Sequence, residues 1–333
     1  MIWFTWRQFR AQTVIAAAAL AAFGVLLLVT ASIITDLYAP VAACQSDCAS
    51  VVSVFLARFR SSAAFPAFLA ALGAAYLLPP LLGIFWGAPL IARELETGTH
   101  RLAWNQSVTR TRWLAVKLAA GCAIAATSTG LLSWAVTIWS ERVYTASHDG
   151  MVPLLFGSRG IVPVAYAVFA FLLGVTAGML LRRVVPAMAA TLAIYVAAVV
   201  AMPLWVRARL VPAQHETIAL DAENIQGISM SSDSGTMHVV GMEEIEGAWT
   251  VGNRTITGDG TTFTGPADPT ACGPDASPVK CREWLGSLGL RQDIFYHPGD
   301  HFWPLQWAEA GVFIGLAALL AAFCFWWVRH RIV

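Results

Sequence analysis

Apolar residues run for about 20 positions at a time along this chain, and short polar stretches separate the runs. A helix rises about 1.5 Å per residue, so about 20 such residues cross the roughly 30 Å hydrocarbon core of a bilayer. Six segments reach that length: Thr13–Thr35, Ala67–Ala92, Trp113–Ser140, Ile161–Leu181, Val185–Val206 and Leu305–Val328. The first is longer than the roughly 7–15 apolar residues of a signal peptide, so a retained anchor is expected. Before it, Ile2, Trp3, Phe4, Trp6 and Phe9 interleave with Arg7, Gln8 and Arg10. That mixture predicts a short helix at the membrane interface. Cys48–Ser62 sets Val51, Val52, Phe55, Leu56 and Phe59 at helical spacing beside Arg58 and Arg60, which predicts a second amphipathic helix.

Residues 207–303 break the rhythm with a polar insertion. Met237–Val240, Ala248–Val251 and Arg254–Thr257 read as short strands. Gly252-Asn253 and Gly258-Asp259-Gly260 read as turns, and Glu283–Leu290 as a helical turn or two. The pattern therefore predicts an all-α polytopic membrane protein. Six transmembrane helices carry a small strand-containing extracytoplasmic domain between helices 5 and 6. Residues 1–206 hold the interfacial helix, the first five spans and a charged loop at 93–112. Residues 207–303 form the outer domain, and 304–333 the sixth span with its tail.

Composition agrees: 57% of residues are apolar and 12% charged, about half the charged share of a soluble domain. The net charge of +1 and the lack of a long basic run leave nucleic acid out as a partner. The placement of charge sets the orientation. Arg7, Arg10, Arg93, Arg101, Arg110, Arg112, Lys117, Arg182, Arg183, Arg329 and Arg331 fall at one end of the spans, accompanied only by Glu94 and Glu96 among the acids. The positive-inside rule then puts both termini in the cytoplasm of a multi-pass plasma-membrane protein.

Cysteines fit that orientation. Cys44 and Cys48 lie in the first outer loop, Cys272 and Cys281 in the last, while Cys122 and Cys324 fall inside spans. Four outer cysteines in an oxidising compartment suit disulfides, with three possible pairings. Cys44–Cys48 and Cys272–Cys281 close the shortest loops and are favoured.

Catalytic signatures are missing. The chain has no G-x-x-x-x-G-K-[ST] loop, so it has no ATPase site of its own. No H-E-x-x-H or G-x-S-x-G sequence occurs either. His297 and His301 stand four apart, but Pro298 and Gly299 break any helix that would align them. A surface pair is expected and a metal site is not. Asn253-Arg254-Thr255 matches a glycosylation acceptor but reads better as a turn. No ionisable group stands well inside a span; Glu309 is expected to reach the interface. Ion-coupled transport, which relies on such groups, is disfavoured. Pro79-Pro80 predicts a kink in the second span. Gly83-x-x-x-Gly87, Gly174-x-x-x-Gly178 and Gly311-x-x-x-Gly315 permit close helix contact, chiefly within the chain.

The charged loop is the most informative stretch. Arg93, Glu94 and Glu96 carry the second span into water, and Gly98 lets the chain turn. Thr99–Gln106 can then form a short helix with His100, Arg101 and Trp104 as neighbours. Ser107 and Thr109 offer caps for the next span. Such a ledge, joined rigidly to two spans, could pass a push from a soluble domain into the bilayer. A basic loop that only fixes topology is the plainer reading.

The run Arg93-Glu94-Leu95-Glu96-Thr97-Gly98-Thr99-His100-Arg101-Leu102, followed by Val108-Thr109-Arg110 and Lys117, resembles the region between the second and third spans of ABC-2 type transporter permeases. Together with Phe302-Trp303-Pro304-Leu305-Gln306 and Glu309, it is similar to actinobacterial members. Ser107 replaces a proline common in the family, and the polar insertion replaces its short outer helices. The resemblance implies the membrane half of an exporter for an amphipathic substrate. Two copies, or this chain with a sister permease, would pair in the membrane lipid with two separate ATPase subunits. ATP and Mg would sit on the ATPase, and this chain would bind no cofactor. The ledge would be the coupling helix. Arg101 and Trp104 would be contacts beside His100, Glu94 and Glu96 the approach, and Gly98-Thr99 the bend. A competing reading is a membrane sensor or assembly factor whose outer domain binds a ligand.

Overall fold

The computed structural model describes all residues except 1, 99–108, 224, 231–236, 242–244, 246, 266–267, 273–276 and 332–333. Among the described residues, six helices are long and apolar enough to cross a bilayer: Val14–Ala43, Ala64–Thr97, Arg110–Ser147, Val162–Leu181, Val184–Arg209 and Gly299–His330. We call them spans 1 to 6. Each overlaps a segment expected from hydropathy, because only a helix satisfies its own backbone inside lipid.

The chain divides into two compact units. One holds Met1–Leu210 and Phe302–Val333, the other Val211–His301. In the membrane unit, span 4 is the hub. It is the most enclosed span, with Tyr166, Phe171, Val175 and Met179 buried along it. A second cluster gathers Leu27, Ile34, Phe55, Phe59, Ala67, Leu132, Val136 and Trp139 from spans 1, 2 and 3 and from the Ala49–Ser61 helix. That helix is the amphipathic one expected at Cys48–Ser62, and it buries Phe55 and Phe59. Trp139 Nε1 donates to Thr30 Oγ1 at 3.1 Å, so spans 1 and 3 also share a polar contact.

Two features near the spans differ from expectation. The helix containing span 1 runs unbroken from Ile2 to Ala43, so Ile2–Arg10 is not a separate short helix. Nothing there stops a helix: no glycine or proline intervenes before Gly24. In span 2, the prolines remain within the Ala64–Leu82 α-helix, and the irregularity falls just after them. Gly83–Gly87 winds as a π-turn before the α-helix resumes at Ala88. Pro79 and Pro80 lack the N–H groups that would bind the preceding turn, and a π-turn is a common way to absorb the mismatch.

The π-turn also brings span 2 against span 4. A Cβ on Gly83 would overlap Ala170 O, and one on Gly87 would overlap Phe171 O. Gly174 and Gly178 make matching approaches to Gly83 O and Ala88 O. Two of the three small-residue motifs thus form one seam inside the chain. Gly311 and Gly315 face open space.

The second unit contains a three-stranded antiparallel sheet in the order β1 (Gln214–Ala219), β5 (Arg291–His297), β4 (Trp249–Ile256). β2 (Ile225–Met230) and β3 (Met237–Gly241) form a separate antiparallel pair. Leu220, Ile225, Met237, Val239, Leu285 and Leu290 make its core around the Cys272–Cys281 disulfide. Gly252-Asn253 is not a turn: both residues lie within β4, where the register with β5 shifts between Thr250 and Gly252. A strand bulge uses glycine as readily as a turn does, which explains the misreading. The turn at Gly258-Asp259-Gly260 does form, closed by Gly260 N–H to Thr257 O at 2.9 Å. The helix expected at Glu283–Leu290 runs Pro278–Ser287, capped by Ser277.

Candidate functional site

Three places hold the residues singled out above: the root of the charged ledge, the opposite end of the spans, and the inserted unit.

At the ledge, Gly98 closes the helix of span 2 with φ +71°. Only glycine adopts this left-handed conformation without strain, so the expected turn is where the chain leaves the span. Span 3 begins at Arg110 after Thr109, whose hydroxyl accepts from Arg112 N–H at 3.4 Å. Lys117, one to two turns into span 3, is 4% exposed. It makes an ion pair with Glu94 on span 2, and its ammonium lies 4.4 Å from the Trp113 ring centroid. Glu94 therefore faces the neighbouring span, whereas Arg93 and Glu96 are exposed. Thr99, His100, Arg101 and Trp104, and the helix expected at Thr99–Gln106, lie outside the described residues.

At the other end of the spans lies a group that hydropathy did not reveal. Glu309 is enclosed by the protein: it is 0% exposed, and Arg207 is 2% exposed. Arg207 Nε donates to Glu309 Oε2 at 2.6 Å, and Nη2 to Oε1 at 3.0 Å. Nη1 donates to Pro153 O at 3.0 Å, so every arm of the guanidinium is used. Tyr166 Oη adds a third bond to the carboxylate. The guanidinium also lies 4.4 Å from the Phe156 ring centroid. One turn before Glu309, Gln306 Oε1 accepts from Ile161 N–H and Val162 N–H at 3.0 and 3.1 Å, and its Nε2 donates to Phe156 O at 3.0 Å. The first N–H groups of a helix have no partner within it, so span 6 caps span 4 here.

The loop before span 4 is fastened from other sides as well. Tyr76 Oη donates to Leu154 O at 2.7 Å, and Ser133 Oγ to Gly160 O at 2.6 Å. Gly160 has φ +74°, and a Cβ there would sit 2.6 Å from Gln306 Oε1.

The sequence reading missed Arg207 because it stands where the fifth span meets the insertion, and a basic residue there looks like ordinary loop charge. The available signal was the pair of helix ends: Arg207 finishes one span and Glu309 opens the next.

In the inserted unit, the expected surface pair is half enclosed: His301 is partly exposed, His297 is not. His297 is buried and stacked on Trp249 at 5.4 Å, with its Nδ1 3.3 Å from His301 Nδ1. Burial follows from the register, which places His297 opposite Trp249 at the end of β5. Among the described residues, no three His, Cys, Asp or Glu side chains gather as a metal site. Asp293, on the central strand, pairs with His215 of β1 and Arg254 of β4. Burial pushes its carboxyl up, but the hydrogen bonds and charges of Arg254 and His215 outweigh that and hold it below the ordinary carboxylate range. Both favoured disulfides form, Cys44–Cys48 and Cys272–Cys281.

The family model described as ABC-2 membrane transporter related matches residues 17–207. The chain belongs to that family. No curated protein and no solved structure gives a match. The family match takes in the ledge and nearly all of the first five spans, and it ends at Arg207. As an ABC-2 membrane transporter related protein with six apolar helices, the chain is a multi-pass membrane protein and a transport component.

Proposed function

We propose that this chain is the permease subunit of an ATP-driven exporter, moved by separate ATPase subunits that grip its ledge. The observation that carries the reading is the construction of the ledge root. Gly98 turns the chain out of span 2, Thr109 caps its return into span 3, and the Glu94–Lys117 pair ties the two spans just behind. A force applied to 99–108 is then delivered to two helices held together, rather than lost in a loose loop. Arg101 and Trp104 are the contacts, with His100 and Glu96 beside them and Thr99 in the bend. Glu94 has a different part: its carboxylate braces span 3.

In this reading two ATPase copies bind ATP and Mg, and a second permease copy or a sister permease completes the membrane half. The ledge and both termini lie in the cytoplasm, the inserted unit lies outside the plasma membrane, and the substrate is amphipathic. Affinity purification of the tagged chain in mild detergent tests this. An ATPase carrying the phosphate-binding loop is expected to co-purify, and Arg101→Glu is expected to release it while leaving the permease folded. A properly folded chain that retains no ATPase, or Arg101→Glu without effect on a retained one, counts against the proposal.

A further inference from the structure

The buried charges at the far end of the spans require a reason other than stability. Taking an Arg–Glu pair out of water costs several kcal/mol per ion, and packed apolar side chains of similar size are often equally stabilising. Ionisable groups within membrane spans point to a function by default.

The position of this pair suggests one. Arg207 stands one turn before Leu210, where the chain leaves the membrane unit, and Glu309 two turns after Phe302, where it returns. The pair thus joins the two helices that carry the inserted unit. Tyr166 joins the same carboxylate to span 4, and Gln306 holds the first turn of span 4 one helical turn away. Span 4 in turn meets span 2 through backbone contacts at Gly174 and Gly178, and span 2 leads to Gly98 and the ledge. A continuous packed route therefore runs from the neck of the insertion to the ledge.

We propose that Arg207, Glu309 and Tyr166 form a clasp through which a change in the inserted unit reaches the membrane spans and the ledge. The clasp makes the two crossings act as one body, so a pull on either is felt by span 4. This inference does not rest on the ATPase reading, because the route lies within the chain.

Hydrogen exchange on the full chain in lipid nanodiscs tests it. The perturbation is Cys272→Ser with Cys281→Ser, which loosens the inserted unit without touching the spans. In the otherwise native chain, this change is expected to raise exchange at least about threefold in 302–309 and in the last turn of span 2, 93–98. In an apolar clasp, Arg207→Met with Glu309→Met and Tyr166→Phe, the loosening is expected to stay within 211–301.

A purely structural role predicts a different result: the apolar clasp transmits the loosening as well as the native one. That result overturns the proposal, as does an absence of any response at 93–98 in the native clasp. Glu309→Gln is the second variant, keeping the shape with a weaker bond, and is expected to transmit less than the native clasp. Equal transmission by Glu309→Gln also counts against the clasp. ATPase capture is read separately, so loss of the partner and loss of this communication remain distinguishable.

Discussion

Among the described residues, the membrane unit contains two enclosed ion pairs, one at each end of the spans, and they are built differently. Lys117–Glu94 joins neighbouring helices, and 17% of the Glu94 side chain remains exposed. Arg207–Glu309 is bidentate, receives Tyr166, uses every arm of the guanidinium, and is walled off from solvent. An ion pair with residual access to solvent can part and be rehydrated, whereas a sealed one leaves an uncompensated charge when it opens. The comparison teaches that the ledge end can rearrange at modest cost and the far end cannot. A motion that begins at the ledge should spread the ledge-side ends of the helices first.

Breaking each pair sharpens the contrast. The largest effect is expected from Glu309→Ala, which strands Arg207 and the Tyr166 hydroxyl and should cost about 3–5 kcal/mol. Thermal unfolding in detergent should show it, while the reversed pair, Arg207→Glu with Glu309→Arg, recovers part of the loss. A loss for Glu309→Ala no greater than that for the ledge pair would erase the distinction.

Gly160→Ala comes next. It forces a side chain into a left-handed backbone and against Gln306, at about 1–3 kcal/mol. Increased hydrogen exchange at 153–162 is the signature, since the cap on span 4 is displaced.

Lys117→Met is expected to cost about 1–2 kcal/mol, because the Glu94 side chain keeps some access to water. Its main effect should be looser exchange at 93–98, with a smaller change passed to 302–309. Loosening at 302–309 as large as that at 93–98 would show that the ledge pair does not act locally.

The smallest effect concerns the inserted unit and pH. The Asp293 carboxyl is held low in the folded chain, so its contribution is present above the ordinary carboxylate range and lost as pH falls from that range through the lower folded value. The melting temperature is expected to fall between about pH 5 and pH 3, and Asp293→Asn should flatten that slope. An unchanged slope would mean that the triad with His215 and Arg254 adds nothing to the acid response.

Much of this architecture is legible in the amino-acid order, for reasons that differ from place to place. The spans are clear because lipid demands long apolar helices, and a local average detects them. Gly98 and Thr109 are clear because a left-handed turn and a helix cap each require particular residue types. The disulfides are clear because two short loops each contain two cysteines. β1, β2 and β5 are not. Arg291–His297 mixes Gln292 and Asp293 with Ile294 and Phe295, and every position in it pairs with a residue distant in sequence. The central strand owes its burial to Gln214–Ala219 on one side and Trp249–Ile256 on the other, and no local period reports that. The burial of Glu309 was not legible for a related reason. A carboxylate in the first turns of a span reads as interfacial unless its partner is known, and Arg207 lies on another helix.

The glycine seam between spans 2 and 4 has a mechanical consequence. Where side chains interlock, a small shove can be absorbed by rotamer changes before the backbone moves. At Gly83, Gly87, Gly174 and Gly178 one main chain lies directly on the other, so that cushion is absent. Displacement of either helix must either carry its neighbour along or slide the two backbones past each other.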